Sequence, residues 1–133
     1  MKRVLVVEDN LHAAEALNIR LRTAGFEVIV ARDGMNAAKL AATEPPDVVI
    51  TDMKLPGMHG LEFLRQLKKL GLSQVPAVVL TGSLRADLWE AAMHLGAAAY
   101  FEKPYDPARL IAVVDTMANR SGNSQPANNP EVG

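Results

Sequence analysis

The stretch that decides the fold is "VVITDMKLPG", Val48 to Gly57. Three aliphatic residues and a threonine, all β-branched, run directly into a carboxylate, Asp52, and the next punctuation is Pro56-Gly57. A run this short and continuously apolar is the pattern of a strand covered on both faces. Such a strand belongs to a parallel sheet rather than to a half-exposed antiparallel one. The same device appears at the start of the chain, where "VLVVEDN" runs Val4–Val7 into Glu8 and Asp9.

Further runs follow at regular intervals: "FEVIVA" (26–31), "AVVLT" (77–81) and "AAAYF" (97–101). Between them lie segments with one apolar stripe at helical spacing. In 13–24 the stripe is Ala14, Leu17, Leu21 and Ala24; in 60–70 it is Leu61, Leu64 and Leu67. Gly25, Gly34, Pro45-Pro46, Gly71, Pro76 and Gly96 punctuate the alternation. Five strands alternating with five helices predict an α/β fold: a doubly wound, five-stranded parallel sheet of (βα)5 flavodoxin-like type, strand order 2-1-3-4-5. Right-handed crossovers carry every strand's C-terminal end to one edge, where ligands of such folds bind.

Bulk properties narrow the function. The chain has 133 residues, 49% hydrophobic and 22% charged, enough for one domain with a real core. A net charge of −1 gives no basic footprint for nucleic acid and no polybasic membrane patch. With no cysteine there is no disulfide framework, thiol nucleophile or Cys-based zinc site. The first apolar run meets acid after four residues, too short for a signal peptide or a membrane span, so a cytoplasmic protein is expected. From Asn119 onward the apolar period stops and Asn, Ser, Gly and Pro dominate. Residues 1–119 are therefore taken as the domain and 120–133 as a disordered tail or linker.

The ends of the strands carry the chemistry. Glu8 and Asp9 follow the first strand and Asp52 ends the third, its expected neighbour. Three converging carboxylates repel one another. A hard divalent cation with oxygen ligands, Mg²⁺ above all, relieves that repulsion. Thr81 adds a hydroxyl at the end of the fourth strand and Lys103 a cation after the fifth. Acids, metal, hydroxyl and lysine suit phosphoryl transfer, and a carboxylate can itself be the nucleophile, forming an acyl phosphate.

In this order and spacing, "VEDN", "TDMKLPGMHG", "LTG" and "YFEKP" resemble the receiver domain of two-component response regulators, of which the chemotaxis regulators are examples. The resemblance covers about residues 2–118 and implies specific roles. Asp52 is the phosphoacceptor. Glu8 and Asp9 bind Mg²⁺ with Asp52 and the backbone carbonyl of Lys54. Thr81 is the switch hydroxyl, Lys103 pairs with phosphoryl oxygens, and Tyr100 is the aromatic that changes rotamer. It also implies a cis bond before Pro104, a histidine kinase or phosphotransfer protein as donor, and output by protein contact. The chain departs from the common pattern at Lys54 and Ser83, which border the site and bear on phosphoryl lifetime, and at His59, which is expected to face solvent.

Each residue also has a plainer explanation. Asp52 alone could cap a turn, Thr81 could be an ordinary strand residue, Lys103 a solvated lysine and Tyr100 an edge-packing aromatic. Gly57 and Gly60 serve the loop backbone, and the three scattered histidines, His12, His59 and His94, lack ligand spacing.

Other functions fit less well. A phosphatase of the haloacid dehalogenase type opens a D-x-D motif on its first strand, whereas Lys54 stands two beyond Asp52. A flavodoxin-like nucleotide binder needs a phosphate loop where this chain has the acidic "VEDNLHA". A metal-independent pseudo-receiver, acting only as an interaction module, would not need so complete a site. The 15 residues after Ala118 hold no output domain, so the chain is a stand-alone receiver or one cut from a longer protein.

For output, 84–95 is expected to form the fourth helix, with Ser83 as N-cap and Leu84, Leu88, Ala91, Ala92 and Leu95 as its buried stripe. Trp89 and Met93 lie one turn apart on the far side. They either form an exposed partner contact with Tyr100, or Trp89 leans back half-buried over the helix shoulder. The surface of helix 4, strand 5 and helix 5 is the expected place for a downstream target or a second copy.

Overall fold

The computed structural model describes residues 1–82 and 85–121. Five strands and five helices alternate along it: β1 (Arg3–Val7), α1 (Leu11–Thr23), β2 (Glu27–Ala31), α2 (Gly34–Thr43), β3 (Val48–Asp52), α3 (Gly60–Lys69), β4 (Ala77–Thr81), α4 (Ala86–His94), β5 (Ala97–Glu102) and α5 (Pro107–Ser121). The strands are all parallel and pair in the order β2-β1-β3-β4-β5, as expected.

The period of two along each strand divides the core into two layers. Val4 and Val6 of β1, Val48 and Ile50 of β3, and Val78 and Leu80 of β4 face α1 and α5, where Leu17, Leu21, Leu110, Val114 and Ala118 close over them. Leu5, Val7, Val49 and Val79 face the other way, against Ala37 and Ala41 of α2, Phe63, Leu64 and Leu67 of α3, and Ala92 of α4. Covering both faces is what made the central strands read as unbroken aliphatic runs. Each fully buried side chain of this size stabilises the fold by about 1.5–3 kcal/mol.

Local differences from the sequence-based expectation concern helix ends and faces. Ala24 is the C-cap of α1 and is exposed rather than buried. On α3 the buried face is centred on Phe63, Leu64 and Leu67, with Leu61 at its edge. The fourth helix begins at Ala86, not at residue 84, and Arg85 occupies its N-cap without a side-chain bond. Its stripe is shallower than expected: Ala92 is buried, while Leu88, Ala91 and Leu95 are half-buried. Ser83 and Leu84, and with them the expected cap, lie outside the described residues, as do residues 122–133 of the tail expected from 120, whose first two residues, Arg120 and Ser121, instead end α5. No helix of the described residues is long and apolar enough to cross a membrane.

Candidate functional site

Strand register brings the chemistry-bearing residues together. Val7 pairs with Thr51, so Glu8 comes level with Asp52. Asp52 pairs with Leu80, which sets Thr81 one step beyond it. Thr81 in turn pairs with Glu102, so Lys103 follows immediately. Backbone bonds carry the ladder past the strand ends: Glu8 N–H donates to Ala31 C=O at 3.0 Å, Met53 N–H to Leu80 C=O at 2.9 Å, and Lys103 N–H to Thr81 C=O at 2.8 Å. These extensions fix the first residue of each loop as firmly as the strands themselves.

The result is an open cleft of about 1130 Å³ lined by Glu8, Asp9, Asp52, Lys54, Thr81 and Lys103, with Asn10, Met53, His59, Gly82, Arg85 and Leu88 around them. Carboxylate oxygens of Glu8, Asp9 and Asp52 all lie within 4.8 Å of one another. Lys103 Nζ donates to Asp52 Oδ2 at 2.8 Å and to Glu8 Oε1 at 3.3 Å. The other Glu8 oxygen, Oε2, accepts from the Asn10 N–H at 3.1 Å. Glu8 is only 1% exposed, whereas Asp9 is exposed and Asp52 opens slightly on the cleft.

Burial pushes the Glu8 carboxyl above its ordinary range. The Asn10 amide opposes that shift, the charge of Asp52 adds to it, and Lys103 opposes it. For Lys103, burial works against the ammonium, but the hydrogen bond and charge of Asp52, joined by those of Glu8, outweigh it and raise the pKa. The lysine is thus a permanent cation at neutral pH, set between two acids.

Several supporting residues gave no sequence signal of function. Asn10 both ties down Glu8 and caps α1, its Oδ1 accepting from Ala13 N–H at 2.9 Å. Buried Thr51 donates its hydroxyl to the Asp52 carbonyl at 2.9 Å. His59, exposed as expected, caps α3, with Nδ1 accepting from Leu61 N–H at 3.1 Å. Gly60 does more than serve the loop: a Cβ there would stand 2.9 Å from the Asp52 carbonyl oxygen and 2.9 Å from Met53 Cα, so only glycine lets α3 close on the end of β3. The Lys103–Pro104 bond is cis. Arg85 enters the cleft from the N-terminus of α4; a basic loop residue reads in sequence as surface charge.

The remaining predicted residues lie beside the cleft. Trp89 is half-buried, its ring 5.0 Å from that of Tyr100 in an edge-on arrangement of 63°. Tyr100 and Met93 stay exposed, at 40% and 48%. Thr81, Arg85, Leu88, Trp89 and Tyr100 line a void of about 10 Å³, and the first three of them line the cleft as well.

Comparison with known proteins points the same way. Residues 4–115 match the family described as the response regulator receiver domain. The alkaline phosphatase synthesis transcriptional regulatory protein PhoP of Bacillus subtilis is 34% identical over 126 residues, covering 95% of this chain and 52% of that protein. The chain thus spans about half the length of the curated relatives it matches. Among solved structures, the Francisella response regulator 1452 receiver domain superposes with a TM-score of 0.84 at 26% identity, covering 90% of this chain and 98% of that one. The receiver domain of a sensor histidine kinase from Pseudomonas aeruginosa PAO1, solved with a magnesium ion in its active-site cleft, gives 0.80 at 25% identity, covering 89% and 98%.

Proposed function

Because this chain belongs to the response regulator receiver family, we propose that it is a phosphorylation-controlled switch in which Asp52 takes a phosphoryl group from the phosphohistidine of a histidine kinase or phosphotransfer protein. The observation that carries this is the juxtaposition of Asp52 Oδ2 and Lys103 Nζ at 2.8 Å inside a cluster of three carboxylates. In the transfer, an Asp52 oxygen bonds to phosphorus as the donor's P–N bond breaks and the imidazole leaves. Reversal of the switch is hydrolysis. Water bonds to phosphorus, the bond from phosphorus to Asp52 breaks, and the carboxylate and inorganic phosphate are restored. The chain catalyses no turnover beyond these two steps on itself.

The donor set fits Mg²⁺: hard carboxylate oxygens, one of them on the exposed Asp9, around an open cleft. Asp9, Asp52 and the Lys54 carbonyl would hold the ion, and Glu8, its oxygens bonded to Asn10 and Lys103, would add negative charge beside them. When bound, the ion neutralises the acids and draws charge off the incoming phosphoryl oxygens. Lys103 leaves the Asp52 carboxylate for a phosphoryl oxygen, and the Thr81 hydroxyl takes another. A metal-independent interaction module would have no use for a buried glutamate held against a lysine.

Output is proposed to pass through the shoulder of α4, β5 and α5 to a downstream protein or a second copy. The exposed Tyr100 and Met93 beside half-buried Trp89 support this, since aromatic residues and Met are enriched at interfaces. The transcriptional regulation in the relative's name belongs to that protein, only about half of which this chain covers.

The test is to incubate the pure protein with Mg²⁺ and a small acyl phosphate and weigh it intact. One phosphoryl group is expected on the wild type, and none with EDTA or in Asp52→Asn. An adduct formed at the same yield in Asp52→Asn would overturn the assignment.

A further inference from the structure

The proposed chemistry leaves one charge unbalanced. With Asp52 phosphorylated, the cleft holds Glu8, Asp9 and a phosphoryl group of about −2. A divalent cation and Lys103 supply three positive charges, leaving roughly one negative charge in a partly closed site. Two further cations line the cleft, Lys54 and Arg85.

Arg85 is built to move. It stands at the N-cap of α4 with an extended backbone and no side-chain capping bond. Its guanidinium is paired with Asp87 Oδ2 at 2.9 Å, but the two side chains are 66% and 65% exposed. Water screens such a pair, so it holds the side chain only weakly. A phosphoryl group offers more: several anionic oxygens, matched by the planar fork of an arginine and less well by a lysine. With Thr81, Arg85 also lines the small void that Trp89 and Tyr100 border.

We propose that Arg85 exchanges Asp87 for the phosphoryl oxygens on Asp52 and thereby prolongs the phosphorylated state. This rests on the reading of Asp52 as acceptor. The guanidinium covers the open side of the phosphoryl group and hinders the water that must approach phosphorus in line. Asp87 competes for the same guanidinium and so shortens the lifetime. Arg85 and Trp89 are one helical turn apart, so the exchange pulls on the first turn of α4.

The experiment compares wild type, Arg85→Ala and Asp87→Ala, each phosphorylated with a small acyl phosphate and Mg²⁺, freed of excess reagent and followed by intact mass. Arg85→Ala should shorten the half-life about threefold or more, on the order of a threefold change in hydrolysis rate. Asp87→Ala should lengthen it. Both substitutions break the same ion pair, so a purely structural role would move both half-lives in one direction, and that result overturns the proposal, as do three equal half-lives. Calorimetric titration with beryllofluoride and Mg²⁺ provides a second readout. Affinity should fall in Arg85→Ala and rise in Asp87→Ala, and equal affinities would again overturn it. A wild type that accepts no phosphoryl group while binding beryllofluoride in this order overturns the acceptor chemistry and, with it, the effect on lifetime, while supporting the pairing of Arg85 with the bound anion.

Discussion

Lys103 and Arg85 face one cleft from consecutive elements, yet they are held in opposite ways. Lys103 follows β5, its amide fixed to Thr81 and its ammonium set between Asp52 and buried Glu8. Arg85 opens α4, uncapped, with one solvent-exposed partner. The same contrast extends to their surroundings. The acidic end is backed by strand ladders and by Asn10, Thr51 and Gly60. The α4 shoulder is backed by a helix with one buried residue and by an edge-on aromatic pair. Chemistry needs fixed charges, because misplacement of a reacting group is costly. A switch needs an element whose two arrangements differ little in energy. The proposed function places the first at the sheet edge and the second at α4.

The largest expected effect strikes the fixed end. Lys103→Met removes the ammonium and leaves Asp52 and buried Glu8 facing each other without a cation between them. Phosphorylation by a small acyl phosphate should slow at least about tenfold, about 1.4 kcal/mol in barrier or more. Mg²⁺ should bind more tightly, because no ammonium bonded to Asp52 and Glu8 then competes with the metal for the acids. Mass spectrometry and a calorimetric Mg²⁺ titration check the two halves. Unchanged Mg²⁺ affinity would mean that the lysine does not share the acids with the metal, and the contrast between the two ends would lose its electrostatic basis.

That contrast also explains what could be read in the sequence. The sheet edge was legible because the central strands, covered on both faces, leave unbroken aliphatic runs that lead into Glu8, Asp52 and Thr81, with Lys103 just after β5. Register then follows from topology. The α4 shoulder was legible only in part: Trp89, Met93 and Tyr100 lie where they were expected, but the start and depth of the helix do not follow the reading. Leu84 and Leu88 suggested a longer helix with a serine cap, but α4 starts at Ala86 behind Arg85 and buries little. A weakly packed helix leaves a weak stripe, so its start is poorly marked. Phe63 was missed for a different reason. A stripe of three leucines at i, i+3 and i+6 drifts around the helix, and Phe63 lies within the arc that is buried. Supporting residues such as Asn10 and Thr51 act through backbone contacts, which periodicity does not reveal.

A smaller effect tests whether the fixed end depends on close backbone approach. Gly60 N–H donates to Met53 C=O at 2.7 Å, and an added Cβ would meet backbone atoms, which cannot step aside as a flexible side chain can. Gly60→Ala should cost about 1–3 kcal/mol of stability, as overpacked sites do, read from the denaturation midpoint. It should also lower the phosphorylation rate, because the strain falls on the carbonyl of Asp52 itself. The comparison is sharpened by Gly82, on the α4 side, where an added Cβ meets nothing within 4 Å. Gly82→Ala should leave the midpoint almost unmoved. Equal losses at the two glycines would show the two ends to be packed alike.

The smallest effect falls on the third cation. Lys54 follows Asp52 by two residues and lines the cleft, yet its side chain is exposed and has no ion-pair partner among the described residues. Its proposed contribution to the metal is the backbone carbonyl, which an alanine retains. Lys54→Ala should therefore leave Mg²⁺ affinity close to that of the wild type. The free ammonium has the reach to approach the phosphoryl oxygens or to stay in water. If it approaches, its loss alters attack by water, and the phosphoryl half-life should change several-fold, on the order of 1 kcal/mol in barrier. High salt should shrink that change, because an exposed charge is screened, whereas the Lys103 effect, set among buried acids, should persist. Equal half-lives for Lys54→Ala and wild type at low salt would place this ammonium in solvent. Of the three cations at the cleft, only Lys103 and Arg85 would then act on the phosphoryl group.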